Sequence, residues 1–176
     1  MAVAFYLLFV VGHLGVFDVV WFHARVCRLH ERDECQREVL WHTARHFVYA
    51  LQFLCVANVR FRGAAILLFV AIFAADVVVA WADVWEETES RNLQGGLPRG
   101  EYFMHVVLSV LVGAYLCAIA LALWPDRGLP ASIALEGPAG VPVVLRAWMT
   151  AMGLSAIVVF VHDLRRWILR RARVAA

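Results

Sequence analysis

The chain has 176 residues, 63% hydrophobic and 17% charged, with a formal net charge of +2. A soluble domain carries about a quarter charged residues and about half apolar ones, so this composition excludes disordered classes and most water-soluble folds. The near-neutral balance gives no footing for a nucleic-acid partner.

A helix needs about 20 apolar residues to cross the hydrocarbon core of a bilayer. Five stretches meet that length: roughly 2–22, 39–59, 64–85, 102–124 and 143–161. The expected fold class is all-α, a polytopic membrane helix bundle of five transmembrane helices forming one integral domain over 1–176. The first stretch lacks a basic leader and a small-residue cleavage site, and it carries His13 and Asp18. It therefore reads as a retained helix rather than a signal peptide. A tight turn at 58–63 joins the second and third spans, and a Gly/Pro-rich loop over 125–142 joins the fourth and fifth. The four cysteines form no C-x-x-C pair, which argues against a thiolate zinc site or a disulfide framework.

All basic residues are arginine. The loops after spans 1 and 3 and the C-terminal tail carry Arg25, Arg28, Arg32, Arg37, Arg91, Arg99, Arg165, Arg166, Arg170, Arg171 and Arg173. The opposite side carries only Arg60, Arg62 and Arg127. The positive-inside rule then predicts an N-terminus outside and a C-terminus in the cytoplasm.

With that orientation the ionisable residues sort to the inner leaflet. A charge at membrane depth costs at least about 2.5–3.5 kcal/mol on insertion scales, so such groups face a bundle interior and pair there. Glu38 and His42, like Glu101 and His105, are four apart and share a helical face. Asp83 and Glu87 share a face on span 3, with Asp76 two turns away. Asp18-Val-Val followed by Glu38-x-x-x-His42 is matched by Asp76-Val-Val followed by Glu101-x-x-x-His105. The match points to a duplicated hairpin and a pseudo-twofold axis along the membrane normal.

Glu38, His42, Asp83, Glu87, Glu101 and His105, with His23 and Asp76 next, are the candidate metal ligands. Carboxylates bridge hard cations and absorb their charge, and imidazole completes the coordination sphere. Arg45, inside span 2, requires a buried carboxylate such as Asp76 or Asp83. Arg45 and Arg91 are expected to orient carboxylates or contact an anionic headgroup, and Asp163 to brace a ligand from behind.

In ligand inventory and helical presentation the chain resembles the non-haem di-iron carboxylate proteins, which commonly use Glu-x-x-His where this chain has Glu-x-x-x-His. The run Glu86-Glu87-Thr88-Glu89-Ser90-Arg91 matches the E-E-x-x-x-R pattern of the intramembrane CAAX-processing proteases, but residue 101 is Glu where their F-x-x-x-H motif needs Phe. The wider arrangement Asp83, Glu86-Glu87, Arg91, Leu97-Pro98, Glu101, His105 resembles an uncharacterised family of small bacterial polytopic inner-membrane proteins. That resemblance implies a multi-pass protein of the bacterial inner (cytoplasmic) membrane and attaches no activity.

The expected function is a membrane metalloprotein holding two divalent ions, iron first and manganese or zinc otherwise. It would oxidise a lipid-soluble substrate among membrane lipids with help from an electron-donor protein. The alternatives are a haem-bearing electron-transfer subunit with His42 and His105 as axial ligands, a zinc-dependent membrane hydrolase, and a non-catalytic subunit or proton or cation transporter.

Overall fold

The computed structural model describes residues 1–174; the side chains of Leu93, Val174 and Arg173, the last arginine of the basic tail, lie outside the described part. Five long helices carry the fold: α1 (Ala2–Asp18), α2 (Gln36–Asn58), α3 (Ile66–Ser90), α4 (Arg99–Leu123) and α5 (Val143–Val174). Among the described residues, four continuous helical segments are long and apolar enough to cross a membrane: Ala2–Val26, Gly63–Ser90, Arg99–Gly128 and Val143–Ala172. The helix that fails on apolarity is α2. Its 23 residues span roughly 34 Å, long enough to cross, but it carries Glu38, His42, Arg45, His46 and Gln52. It lies against α3 on one side and α5 on the other, while α1 lies against α4. The most polar helix is thus the one most thoroughly wrapped by its neighbours.

α1 does not stop at Asp18. It continues as a π-helical stretch, Val19–Val26, closed by a bond of 2.8 Å from the Cys27 N–H to the Phe22 carbonyl. Residues five apart diverge by roughly 140° around an α-helix, whereas i→i+5 bonding brings them close to one face. Asp18 and His23 are five apart, and the widened turn points both inward. Arg28, in the left-handed region at φ 53°, ends the rod.

Two expectations of loop structure give way. Val59–Arg62 (β1) and Ser132–Leu135 (β2) pair as an antiparallel ribbon, with Val59 opposite Leu135 and Arg62 opposite Ser132. The alternation Val-Arg-Phe-Arg has the period of a strand. Phe61 turns into the core, while Arg60 and Arg62 both reach Glu136, at 3.3 and 3.0 Å. Arg60 also holds Asp126 at 2.9 Å. α5, expected over 143–161, runs for 32 residues, roughly 48 Å. Arginine is a good helix former, so the basic tail continues the helix past the end of the apolar stretch. Arg170 there binds the His30 carbonyl at 2.6 Å and Asp33, fastening α5 to the α1–α2 loop.

The bundle divides along its axis. At the ribbon end, Phe5, Leu8, Phe53, Phe61, Phe69, Tyr115 and Met149 form an apolar core. Its aromatic run passes from Phe61 through Phe69 and Phe73 to Tyr115, with ring centroids 4.8–5.5 Å apart. At the other end the interior is polar. That apolar clamp holds all five helices and so sets the spacing of what they present at the opposite end.

Gly63 makes the corner between the ribbon and α3. Its φ is +55°, and a Cβ there would run into the backbone carbonyl of Leu129. A left-handed alanine alone costs about 1–2 kcal/mol, and the clash adds to it. Gly63→Ala is expected to destabilise the bundle by about 2–3 kcal/mol, measured by denaturant unfolding in mild detergent, while Gly128→Ala, where a Cβ meets nothing, leaves the midpoint unchanged.

Candidate metal centre

Asp18 and His23 come from α1 and its π-helical extension, Glu38 and His42 from α2, Asp83 and Glu87 from α3, and Glu101 and His105 from α4. All eight converge at the polar end. His23 Nε2 lies 3.0 Å from Glu101 Oε1 and 3.5 Å from Asp18 Oδ2. His105 Nε2 lies 3.4 Å from Asp18 Oδ2, and its Nδ1 lies 3.5 Å from Glu87 Oε2. Across the pocket, His42 Nδ1 meets Asp83 Oδ2 at 3.1 Å and its Nε2 meets Glu38 Oε1 at 3.6 Å. The rings of His23 and His42 stack with centroids 4.3 Å apart.

Arg91, just past the end of α3, is 1% exposed. Its Nη2 donates to Glu38 Oε1 at 2.8 Å and to Glu101 Oε1 at 2.9 Å, and lies 3.8 Å from Glu87. Ser90 Oγ donates to the other oxygen of Glu38. Cys27 Sγ donates to the other oxygen of Glu101, at 3.4 Å. Arg45 Nη1 binds Asp83 Oδ2 at 2.9 Å.

These contacts obey a pseudo-twofold that exchanges α1 with α3 and α2 with α4. Asp18 to His105 corresponds to Asp83 to His42. Cys27 to Glu101 corresponds to Arg91 to Glu38. Asp18 therefore pairs with Asp83, not with Asp76 as the Asp-Val-Val match implies. The π-helical turn hides the register, because Asp18 and His23 are five apart where Asp83 and Glu87 are four.

Of the residues expected from the sequence, Glu38, His42, Asp83, Glu87, Glu101, His105 and His23 come together, with Arg45 and Arg91 on their carboxylates. Two do not join them. Asp76 lies toward the middle of the bundle and accepts from Gln52 Nε2 at 3.0 Å; the seven residues to Asp83 lift it two turns away from the cluster. Asp163 faces α2 from α5, beside His162 at 3.0 Å and His46 at 3.8 Å. Sequence reasoning left out Asp18, Ser90 and Cys27. Asp18 had a signal, being an aspartate late in an apolar span; Ser90 and Cys27 had none.

His23, Glu87, Glu101 and His105 each offer one ligand atom, all within 4.8 Å of one another. An ion with bonds of about 2.1 Å holds opposite ligands about 4.2 Å apart, so the four close on a cation with shifts of a few tenths of an ångström. Several buried atoms have no hydrogen-bond partner among the described residues: both ring nitrogens of His23, His42 Nε2, Asp18 Oδ1, Asp83 Oδ1 and Glu87 Oε1. Each such atom costs about 1–3 kcal/mol unless something else satisfies it. Five carboxylates, three imidazoles and two guanidiniums line the pocket. No family model matches the chain, and no curated protein or solved structure is similar to it. The chemistry therefore rests on the geometry alone.

Breaking a buried ion pair from one side costs about 3–5 kcal/mol. Arg91→Met leaves Glu38 and Glu101 facing each other at 0% exposure and is expected to cost at least that much in detergent unfolding. Burial raises the Cys27 thiol to about 11, with Arg91 pulling the other way, and burial raises Cys35 as well. The attacking species is the thiolate, so at pH 8 both remain protonated. Maleimide labelling of Cys27 in the native protein should rise about tenfold per pH unit from pH 8 to 10. Flat labelling over that range would contradict it.

Proposed function

We propose that the chain is an integral membrane metalloenzyme, oriented with its N-terminus outside and its C-terminus in the cytoplasm of a bacterial inner membrane. In this reading α2 is the fifth span. The polar end lies at the cytoplasmic interface, where Trp21, Trp81, Trp85, Tyr102 and Phe103 stand exposed around it, Trp81 at 81%. Aromatic belts of this kind sit at the headgroup level.

The observation that carries the reading is the convergence of His23, Glu87, Glu101 and His105 on one point in a largely buried pocket. Two imidazoles with carboxylate donors and positions left open are the ligand set of oxygen-activating ferrous centres. Iron bound there would supply oxidation of a lipid-soluble substrate, with electrons from a donor protein. The chain's own residues hold and shield the centre. Arg91 and Cys27 fix the two oxygens of Glu101, Asp18 holds both His23 and His105, and the bundle excludes water. The side chain of His105 is 27% exposed, the most open of the four, and marks the side from which a substrate approaches.

Elemental analysis of the protein purified in mild detergent tests this. Stoichiometric transition metal is expected, iron foremost. His105→Ala and Glu101→Gln should each cut metal content at least tenfold while the helical circular dichroism stays intact. Folded protein free of transition metal after iron loading, or a Soret band in the purified preparation, would overturn the assignment.

A further inference from the structure

Toward the middle of the bundle lies a carboxyl group that the metal centre does not use. Asp76 on α3 is 6% exposed, and Gln52 on α2 is buried completely. One hydrogen bond joins them, from Gln52 Nε2 to Asp76 Oδ2 at 3.0 Å. Each partner has a second oxygen, Asp76 Oδ1 and Gln52 Oε1, and among the described residues neither has a hydrogen-bond partner. While Asp76 is ionised both atoms are acceptors, so neither can satisfy the other. A proton on Oδ1 changes this. The acid O–H is a donor and the amide oxygen an acceptor, and the two close the second bond of a carboxylic acid–amide ring.

The neighbours leave that oxygen to the proton. Arg45 is the charged group that bears on Asp76, but its guanidinium bonds Asp83 at 2.9 Å and reaches Tyr49 Oη at 3.5 Å. Tyr49 of α2 and Tyr115 of α4 are the other titratable side chains close by, and a phenol is neutral at ordinary pH. Tyr115 packs on Phe73, one turn from Asp76, with ring centroids 5.5 Å apart. Its hydroxyl has no hydrogen-bond partner among the described residues, so it gives Oδ1 no hydrogen.

We propose that Asp76 and Gln52 form a proton-binding site, in which Asp76 carries a proton at neutral pH and donates it from Oδ1 to Gln52 Oε1. One proton satisfies two buried oxygens and removes a charge from the depth at which ionised side chains are most costly. The pair then clasps α2 to α3 through two neutral hydrogen bonds. It also places a carboxyl able to give and take a proton two helical turns from Asp83. The site uses none of the four residues of the metal centre and stands whether or not a metal binds there.

Infrared spectroscopy of the full chain in mild detergent reads the acid directly. At neutral pH wild type should show a carboxylic-acid carbonyl band that moves to lower frequency in heavy water and is missing from Asp76→Asn, with no carboxylate band lost. Gln52→Leu takes the amide hydrogen away from that carbonyl, so its band should persist and move to higher frequency. Where Asp76→Asn fails to fold, wild type carrying carbon-13 in its aspartate side-chain carboxyls gives the reading instead, because the acid band must shift with the label. Asparagine at 76 can both donate and accept as the acid does, so folded Asp76→Asn should keep the wild-type unfolding midpoint while Asp76→Ala lowers it. A carboxylate band lost in Asp76→Asn, as an ionised Asp76 neutralised by sodium would give, would overturn the proposal. So would the absence of a label-sensitive acid band, a band unmoved in folded Gln52→Leu, or a midpoint lowered as far by asparagine as by alanine.

Discussion

A single guanidinium group sets the terms for the polar end. Arg91 reaches back from the end of α3 and holds Glu38 of α2 and Glu101 of α4 with one nitrogen, all three at essentially no exposure. Burying charges costs several kcal/mol per ion even when they are paired, so this contact is a poor source of net stability. Its effect is on arrangement. Apolar helices in lipid gain little from choosing one neighbour over another, because lipid tails are as apolar as the side chains they replace. The charges do choose. In a bilayer, an order of helices that separated α2, α3 and α4 would leave at least one of Glu38, Glu101 and Arg91 facing lipid, at about 2.5–3.5 kcal/mol or more. The buried charge cluster thereby selects the bundle that builds the site.

The apolar end supplies what the polar end lacks. Phe61, Phe69, Phe73 and Tyr115 interlock across β1, α3 and α4, and Gly153 lets α5 approach Leu54 and the backbone at Ala50 on α2 closely enough for dense packing. Such contacts fix helix separation to within tenths of an ångström, because close-packed interiors resist rearrangement. A site made of side chains from four helices needs that stiffness; its ligand atoms must meet within a few ångströms at the far end of rods about 35 Å long.

Much of this is written in the sequence, in a form that periodicity can read. Four of the helices are long, apolar and bounded by polar loops, so their existence follows from hydropathy. Glu38/His42 and Glu101/His105 declare their faces by spacing, and Arg45 demands a buried carboxylate simply by sitting in a span. What spacing cannot reveal is depth and registry between helices. Asp76 and Asp83 lie on one face of α3, seven apart, and only packing decides which of them reaches the pocket. Asp18 is obscured because π-helical winding changes the angle per residue, and no local residue choice announces it. The ribbon escapes notice because four alternating residues are too few to outweigh the turn signals around them. The extension of α5 escapes notice because hydropathy reports where lipid ends, not where a helix ends.

The departures from symmetry are as informative as the symmetry itself. Had the two hairpins remained alike, the pocket would present matched halves around shared carboxylates at Glu38 and Glu101. Instead an imidazole at 23 stands where the other half has a carboxylate at 87, and a thiol at 27 where it has a guanidinium at 91. Each exchange adds positive or neutral character to one half and a different donor to the other. Two imidazole nitrogens gather around Asp18, and a single guanidinium, that of Arg45, pairs with Asp83. The site's direction follows from the same asymmetry. The His105 side chain, 27% exposed, is the more open of the two equivalent imidazoles, that of His42 being 14% exposed.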